Sequence, residues 1–188
     1  MWDRQLIDFF NLIVMILRDA INLIKHPAIS VAQNARWVDL GCGSGLFTYA
    51  LANLLQTGST ILAIDKSKVN LHVQPNPNNI IIDTKQLDFT KAPLPIDTLD
   101  GILMANSLHF VADKINFIAS AGKKLSSNGI FLVAEYDTDK PNQWVPYPTS
   151  AYALQLLFKE AGYHSFTKTG EIKSMYNTGN IYAAVIKK

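Results

Sequence analysis

The segment over residues 37–52 constrains the fold of this chain more than any other. Trp37, Val38 and Leu40 indicate a short strand that is covered on both faces. Glycines at 41, 43 and 45 then allow a tight turn and bring bare backbone against a ligand, and an apolar run at helical spacing follows. A strand that enters a helix through glycines is typical of a nucleotide-type site in an α/β fold, because the helix start offers unpaired N–H groups.

The residues around the glycines distinguish between possible ligands. The dinucleotide fingerprint requires a third small residue at position 46, which is Leu46, and no phosphate-binding Gly-Lys-Ser/Thr follows. Asp39 precedes the turn, where a carboxylate repels a pyrophosphate and attracts an ammonium or sulfonium. At a separation of about 4 Å and an effective dielectric near 20, this gross attraction is roughly 4 kcal/mol. The pattern therefore favours a cationic ligand.

The run Asp39-Leu40-Gly41-Cys42-Gly43-Ser44-Gly45 resembles the first motif of class I S-adenosylmethionine-dependent methyltransferases. The resemblance implies an α/β, Rossmann-like, doubly wound sheet of seven strands. That sheet is mostly parallel, with an antiparallel last strand and helices on both faces. It also implies S-adenosylmethionine as the cofactor. The residues expected to hold its methionine part are Asp39, Gly41, Cys42, Gly43 and Gly45.

A second predicted strand ends in Asp65, 24 residues after Gly41. An acid at this place in an α/β unit accepts hydrogen bonds from ribose hydroxyls, and the expected interval is about 20 residues. The ribose does not separate S-adenosylmethionine from NAD. We include Lys66, the next residue, in the predicted cofactor site. Alternatively, Asp65 belongs to an ordinary turn before a helix that Ser67 caps and that extends through Val73.

The third predicted strand begins at Ile80 and leads to an acidic segment. In the methyltransferase family, an acid after this strand hydrogen-bonds the adenine amino group, and the next backbone N–H contacts a ring nitrogen. Asp88 and Phe89 match these two positions, so the resemblance assigns them to adenine. Asp83 is the competing acid.

The fourth predicted strand, over residues 97–105, ends in Asn106-Ser107-Leu108-His109. The resemblance places this strand end beside the methionine part of the cofactor, with Asn106 at the transferring methyl group and Ser107 and Leu108 in the cofactor site. The stretch lacks the Pro-Pro-Tyr form expected for nucleic-acid bases and looks like small-molecule methyltransferases, including the quinone-biosynthesis group. His109 is the candidate base, because imidazole titrates near neutral pH; alternatively, it hydrogen-bonds loop backbone or shapes the pocket.

The rest of the chain is predicted as alternating helices and strands. Apolar spacing predicts one or two amphipathic helices over residues 3–25, which either pack on the core or cover an apolar substrate or a membrane surface. Their predicted end is His26-Pro27. The later predicted elements are a helix from Asp113 to about Lys124, a strand over 130–136 after an Asn128-Gly129 turn, a helix from Ser150 to Ala161, and a hairpin of strands 166–172 and 181–186 joined by a turn over 177–180.

The length of 188 residues predicts one domain, with a helical cap over 1–34 and a cofactor-binding core over 35–188. The net charge of +2 argues against a nucleic-acid partner. The single cysteine excludes an internal disulfide, and no spacing suggests a metal site. No run is long and apolar enough for stable membrane insertion, so we expect a soluble, cytoplasmic protein. Oligomeric state stays open.

The expected function is methyl transfer from S-adenosylmethionine to a small, apolar or aromatic acceptor. A stiff aromatic loop that contains Trp144 and Tyr147 either forms a wall for such an acceptor or covers the edge of the sheet. Two alternatives are an NAD-linked oxidoreductase, which Leu46 and Asp39 disfavour, and an S-adenosylmethionine-binding module without catalysis.

Overall fold

The computed structural model describes residues 15–174 and 179–188, and within them seven strands form one sheet. The strands are β1 (Arg36–Leu40), β2 (Thr60–Asp65), β3 (Ile81–Gln86), β4 (Leu99–Ala105), β5 (Leu125–Tyr136), β6 (Ser165–Lys173) and β7 (Asn180–Lys187). The helices are α1 (Leu17–Ile24), α2 (Leu46–Ala52), α3 (Lys114–Gly122) and α4 (Ala151–Glu160), with single 3₁₀ turns at Pro27–Ile29 and Leu108–Phe110.

The strands lie in the order β3-β2-β1-β4-β5-β7-β6. Neighbours from β3 to β5 pair in parallel, whereas β7 is antiparallel to both β5 and β6. The predicted sheet, with its antiparallel last strand and closing hairpin, is therefore confirmed. Residues 175–178, which include the first half of the predicted turn of this hairpin, lie outside the described residues.

Helices cover both faces of the sheet, as predicted. On one face, Leu23 of α1 and Leu51 of α2 pack with Trp37 of β1 in a single apolar cluster. On the other face, Ile118 of α3 and Phe158 of α4 belong to a second cluster. Because both faces are covered, the central strands are apolar on consecutive residues instead of alternating with polar ones.

The predicted helix from Ser67 to Val73 is wrong, because residues 66–80 contain no helix. The Ser67 N–H donates to the Asp65 carboxylate (2.9 Å), and the His72 N–H donates to the Ser44 carbonyl across the glycine turn (2.8 Å). These N–H groups are therefore not available for a helical ladder. Two prolines that follow in the chain have no N–H to donate. The connection over residues 66–80, which passes the glycine turn without forming a helix, is called the strap below.

The predicted Asn128-Gly129 turn is also wrong, because both residues lie inside β5. The pairing with β4 shifts its register there, and a Cβ on Gly129 would lie 2.9 Å from the Leu99 carbonyl. Glycine at 129 thus permits a close approach within the sheet. Residues 126–129 lie between Leu125 and Ile130, which pair with Leu99 and Gly101, so the asparagine–glycine pair belongs to an irregularity within the strand and not to the tight turn that such a pair signals.

The predicted helix caps at Asp113 and Ser150 are confirmed. The Asp113 side chain accepts from the Asn116 N–H (3.2 Å) and the Ser150 side chain from the Ala153 N–H (3.3 Å). In the predicted N-terminal helical region, residues 3–14 lie outside the described residues. The described part, α1, ends before His26-Pro27 and packs on the core, where the Thr169 hydroxyl donates to the Leu23 carbonyl (2.7 Å).

Candidate cofactor site

The carboxyl ends of β1, β2 and β4 meet at one edge of the sheet, where parallel α/β sheets bind ligands. A cavity of about 230 Å³ opens there. Seven predicted site residues line it, together with Thr90, Lys91 and Phe110, which the sequence analysis did not single out. The seven are Gly41, Asp65, Lys66, Asp88, Phe89, Asn106 and Ser107. The predicted residues that do not line it are Asp39, Cys42, Gly43, Gly45, Leu108 and His109.

The glycine turn lies directly against the end of β4. Gly41 has a φ of +80°, and a Cβ at this position would lie 2.5 Å from the Ser107 Cβ. The N–H groups of Gly41 and Cys42 both donate to the Ile64 carbonyl (2.8 and 2.9 Å), which ties the turn to β2. The predicted tight turn is therefore present, and glycine at 41 also permits its close approach to Ser107.

The structure places the Asp39 carboxylate in the interior instead of at the mouth of the turn. Asp39 lies on the same face of β1 as Trp37, which is the face that α2 covers, and it is 1% exposed. Its Oδ2 accepts a hydrogen bond from the Thr48 hydroxyl of α2 (2.6 Å), while its Oδ1 has no partner. Burial raises the pKa of Asp39 to about 7, although the bond from Thr48 lowers it.

The thiol of Cys42 is also buried beside the turn. Burial and the nearby carboxylates of Asp39 and Asp65 raise the pKa of this thiol to about 12. A thiol in this state carries almost no thiolate at neutral pH and is a weak nucleophile. The high pKa and the burial of Cys42 therefore argue against a reactive thiol at this position.

Asp65 connects the end of β2 to the glycine turn. Its Oδ2 accepts from the Gly43 N–H (3.0 Å) and its Oδ1 from the Ser67 N–H (2.9 Å), so each oxygen keeps one further lone pair. The Nζ of the neighbouring Lys66 lies 5.2 Å from the centre of the Phe110 ring. Lys66 and Phe110 together form one wall of the cavity.

Asp88 is the acid after β3 that reaches the cavity, whereas Asp83 is an exposed residue within the strand. Asp88 accepts hydrogen bonds from the Thr90 hydroxyl (2.6 Å) and N–H (3.1 Å), and its Oδ2 lies 3.2 Å from the Lys91 Nζ. The bonds from Thr90 and the charge of Lys91 hold the pKa of Asp88 below its usual range. An acid with lysine three residues later signals such a local pair.

The turn after β4 carries the other polar atoms of the cavity. Asn106 has a φ of +52°, a strained conformation for a residue other than glycine, and its N–H donates to the Ala134 carbonyl (2.8 Å). The Asn106 Oδ1 and the Ser107 Oγ are buried and have no hydrogen-bond partner in the described part of the chain. Leu108, by contrast, is 1% exposed and packs in the core.

His109 is buried beside the cavity and pairs with Glu135 at the end of β5. Its Nδ1 lies 2.7 Å from the Glu135 Oε2, and its backbone N–H donates to the Oε1 (3.2 Å). The aromatic loop is tied to the same turn, because the Tyr147 N–H donates to the His109 carbonyl (3.0 Å). Its Trp144 side chain is exposed. Glu135 was not predicted, since it is 26 residues from His109 and no local pattern marks it.

A family model described as a methyltransferase domain matches residues 38–133, which is more than half of the chain. The matched segment contains the glycine turn and all seven predicted residues that line the cavity. The chain belongs to the class I S-adenosylmethionine-dependent methyltransferases. The predicted family and cofactor are thereby confirmed.

Several relatives of this methyltransferase carry the name ubiquinone biosynthesis O-methyltransferase. The protein from Bartonella tribocorum is 28% identical over 161 residues, which cover 84% of this chain and 62% of the relative. The one from Mesorhizobium japonicum is 27% identical over 139 residues, covering 72% and 54%. The chain thus spans about three fifths of the length of the curated relatives that it matches.

Solved methyltransferase structures share the fold at low sequence identity. An S-adenosylmethionine-dependent methyltransferase from Leishmania major has a TM-score of 0.66 at 17% identity, covering 91% of this chain and 71% of that one. The 1,6-didemethyltoxoflavin-N1-methyltransferase of Burkholderia thailandensis has a TM-score of 0.64 at 16% identity, covering 92% and 78%. These similarities confirm the predicted fold class.

Within residues 15–174 and 179–188, no helix has the length and apolar character needed to cross a bilayer. In the same ranges, no group of three or more histidine, cysteine, aspartate or glutamate side chains is arranged to hold a metal ion.

Proposed function

We propose that this methyltransferase transfers the methyl group of S-adenosylmethionine to a hydroxyl oxygen of a small, apolar or aromatic molecule. One observation supports the cofactor part: two buried polar atoms of residues that line the cavity, Asn106 Oδ1 and Ser107 Oγ, have no hydrogen-bond partner among the described residues. Leaving such an atom unpaired costs about 1–3 kcal/mol, so a ligand that pairs with them recovers this cost. The names of the relatives support oxygen as the acceptor atom.

The methionine part of the cofactor fits the region between β1 and β4. The Asn106 amide oxygen, whose residue lines this part of the cavity, is a hydrogen-bond acceptor that suits an ammonium group. We assign this part to Asp39, the Gly41–Gly45 turn that includes Cys42 and Gly43, and the residues Asn106, Ser107 and Leu108. Asp39 and Leu108 act from behind the cavity, because both are buried.

The adenosine part fits the side of the cavity near β2 and β3. Asp65 keeps one free lone pair on each oxygen and accepts from the ribose hydroxyls, with Lys66 beside it. Asp88 and Phe89 hold the adenine, in keeping with their place in the cavity wall. When bound, S-adenosylmethionine supplies a methyl group on a positively charged sulfur, which is a good leaving group.

The task of the chain is then to align the acceptor with that methyl group and to exclude water. The part of the site that we assign to the acceptor lies at the end of β4. Phe110 lines the cavity and is 44% exposed, and the docked aromatic loop presents Tyr147, which is 48% exposed. These exposed rings beside a cavity suit a flat, apolar acceptor. We assign Asn106 and His109 to the catalytic end of the site.

Calorimetry with S-adenosylmethionine, its demethylated product and NAD tests the cofactor assignment. We expect the first two to bind and NAD not to bind. The Asp65→Ala variant should weaken S-adenosylmethionine binding by about 1–3 kcal/mol, roughly 5- to 150-fold, because it removes the ribose acceptor. Asp83→Ala is the matched control, since Asp83 lies exposed within β3. Binding of NAD alone, or equal affinities of the two variants, contradicts the assignment.

A turnover assay tests catalysis separately. Transfer of a radiolabelled methyl group to phenols and catechols, compared with amines and thiols of similar shape, should show product with the hydroxyl compounds. Tight binding of S-adenosylmethionine without transfer to any of these acceptors would instead indicate a binding module without catalysis.

Two further assignments belong to the same proposal. Residues 1–188 form one domain, supported by the packing of α1 on α2 and on β6 in the described part of the cap. The chain works in the cytoplasm with a small-molecule acceptor and without a nucleic-acid partner. The low net charge of +2 and the single, buried cysteine support this assignment.

A further inference from the structure

Lys114, the first residue of α3, carries a buried positive charge. The residue is 7% exposed, and its Nζ donates to the carbonyls of Val111 (2.9 Å) and Tyr147 (2.6 Å). Among the described residues, no carboxylate oxygen lies within 4 Å of this ammonium. Burial lowers the pKa of Lys114, whereas the charge of Glu135 raises it. The ammonium is therefore held by two backbone carbonyls instead of by an ion pair.

This place is unfavourable for a lysine by local criteria. A positive charge at the start of a helix is repelled by the unpaired N–H groups there, and burial of a charge costs free energy unless it is well paired. A break of local rules is expected where another gain offsets its cost, which is typical of functional positions. The gain that the structure shows is the bond from Lys114 to Tyr147, 33 residues further along the chain.

Tyr147 belongs to the aromatic loop, residues 144–148, and its peptide groups are held on both sides. Its N–H donates to the His109 carbonyl (3.0 Å), and its carbonyl accepts from Lys114. Prolines at 146 and 148 fix their own φ angles and restrict the residues that precede them. The backbone of Tyr147 therefore has little freedom while both bonds are present.

The ring of Tyr147 is not used by the fold. It is 48% exposed and belongs to neither of the two apolar clusters of the described residues. The Lys114 Nζ lies 5.8 Å from the centre of this ring. The residue that anchors the loop, His109, directly precedes Phe110 of the cavity wall. An exposed ring on a rigid backbone beside a cavity is a surface on which a flat apolar group packs.

We propose that Lys114 is a positioning residue for the acceptor: it fixes the aromatic loop so that the Tyr147 ring forms a rigid wall, and this wall selects acceptors with an extended flat ring. The inference rests on the proposed function and deepens it, because it names the residues that choose the acceptor and the shape that they choose. Neither residue touches the reacting atoms in this role. The effect therefore falls on acceptor binding and is measured as KM.

Hydrogen exchange of the Tyr147 amide tests the contact directly, in the full chain without ligand. In a chain labelled with ¹⁵N-tyrosine, Tyr147→Phe identifies its signal among the seven tyrosines. We expect a protected amide in the wild type. In Lys114→Met, which keeps an unbranched side chain without the ammonium, exchange should be about tenfold faster or more, because local opening becomes easier. The amides of Tyr49 in α2 and Tyr182 in β7 should stay protected.

An unprotected Tyr147 amide in the wild type, or equal exchange in Lys114→Met, overturns the proposal. Lys114→Ala is the second variant in case Lys114→Met does not fold, since alanine suits the start of α3. The same faster exchange is expected there, and wild-type protection of the Tyr147 amide in Lys114→Ala overturns the proposal equally.

The activity test compares catechol with 2,3-dihydroxynaphthalene, which has the same adjacent hydroxyls and one additional flat ring. We expect the wild-type KM to be lower for the naphthalene compound by about 2- to 10-fold, the range for an aromatic pair. Lys114→Met should lose most of this preference, while kcat on each compound stays within about threefold of wild type, because the wall binds and does not react. Equal KM values in the wild type, or a full preference in the variant, overturn the proposal.

A double-mutant cycle shows whether Lys114 acts through the ring. Tyr147→Ala removes the ring and keeps both backbone bonds, and it should lose the same preference for the naphthalene compound. The double variant Lys114→Met/Tyr147→Ala should then lose no more than Tyr147→Ala does, since the two residues act as one unit. Additive losses mean that Lys114 acts elsewhere, and they overturn the proposal.

Two controls separate positioning from folding. Lys123→Met is the matched control, since Lys123 is exposed at the other end of α3, and it should leave both KM values and the Tyr147 exchange unchanged. Calorimetry should show the wild-type affinity for S-adenosylmethionine in every variant, because neither Lys114 nor Tyr147 lines the cofactor cavity. A misfolded chain would lose this affinity.

The outcomes distinguish this inference from the proposed function. A wild-type chain that does not bind S-adenosylmethionine contradicts the proposed function, whatever the exchange of Tyr147. A wild-type chain that binds it and methylates neither diol overturns the hydroxyl assignment. A wild-type chain that methylates both diols with equal KM values leaves the proposed function standing and overturns only the role of Lys114 and Tyr147.

Discussion

The buried carboxyl of Asp39 should make the stability of this protein depend on pH in a defined direction. Its pKa is about 7 in the folded chain, against 3.8 for an exposed aspartate. A raised pKa means that the contribution of Asp39 to stability is fully present below about pH 3.8 and is lost as the pH rises to about 7. At 1.36 kcal/mol per pH unit, this loss is about 4 kcal/mol at most.

The Asp39→Asn variant removes the titration and keeps a side chain of nearly the same shape. We expect the free energy of unfolding of this variant, relative to wild type, to increase between pH 4 and pH 8. The increase should approach about 4 kcal/mol as a ceiling, because burial of the charged form causes the wild-type loss. Urea denaturation at several pH values measures this difference. Asp83→Asn is the control, since Asp83 is exposed on β3.

Parallel stability curves for wild type and Asp39→Asn between pH 4 and pH 8 would refute the reasoning.

Two glycine variants test the close contacts around the site. Gly41→Ala places a Cβ 2.5 Å from the Ser107 Cβ and should lower the free energy of unfolding by about 1–3 kcal/mol more than Gly43→Ala does. Gly43 is the control because its φ is also positive (+52°), but a Cβ there meets no described atom within 4 Å. Equal thermal unfolding of the two variants would argue against a tight contact between the glycine turn and the end of β4. Gly101→Ala places a Cβ 2.3 Å from the buried Trp37 ring and should cost about 1–3 kcal/mol in chemical denaturation, with a changed tryptophan fluorescence. An unperturbed Trp37 signal would contradict this packing.

The sequence by itself determined the order of the elements and the parts of the site that follow a local pattern. The glycine turn, Asp65 and the strand end at Asn106 each lie within a few residues of the strand that positions them. Because parallel strands present their carboxyl ends at one edge, these local patterns were enough to predict seven residues that line one cavity. The antiparallel hairpin of β6 and β7 could also be predicted, since nothing in the sequence between these two strands indicates a helix.

The tertiary structure alone decided the features that depend on residues far apart in the chain. The strap after Asp65 is not helical because its backbone N–H groups bond to Asp65 and to Ser44 across the glycine turn. Asp39 is sealed under α2, and His109 is held by Glu135 on a different strand. Hydrophobic periodicity reports which side of an element is covered, but not which side chain of another element lies against it. The partner of a buried charge is set by the packing of the whole sheet, and that partner decides its protonation and its chemistry.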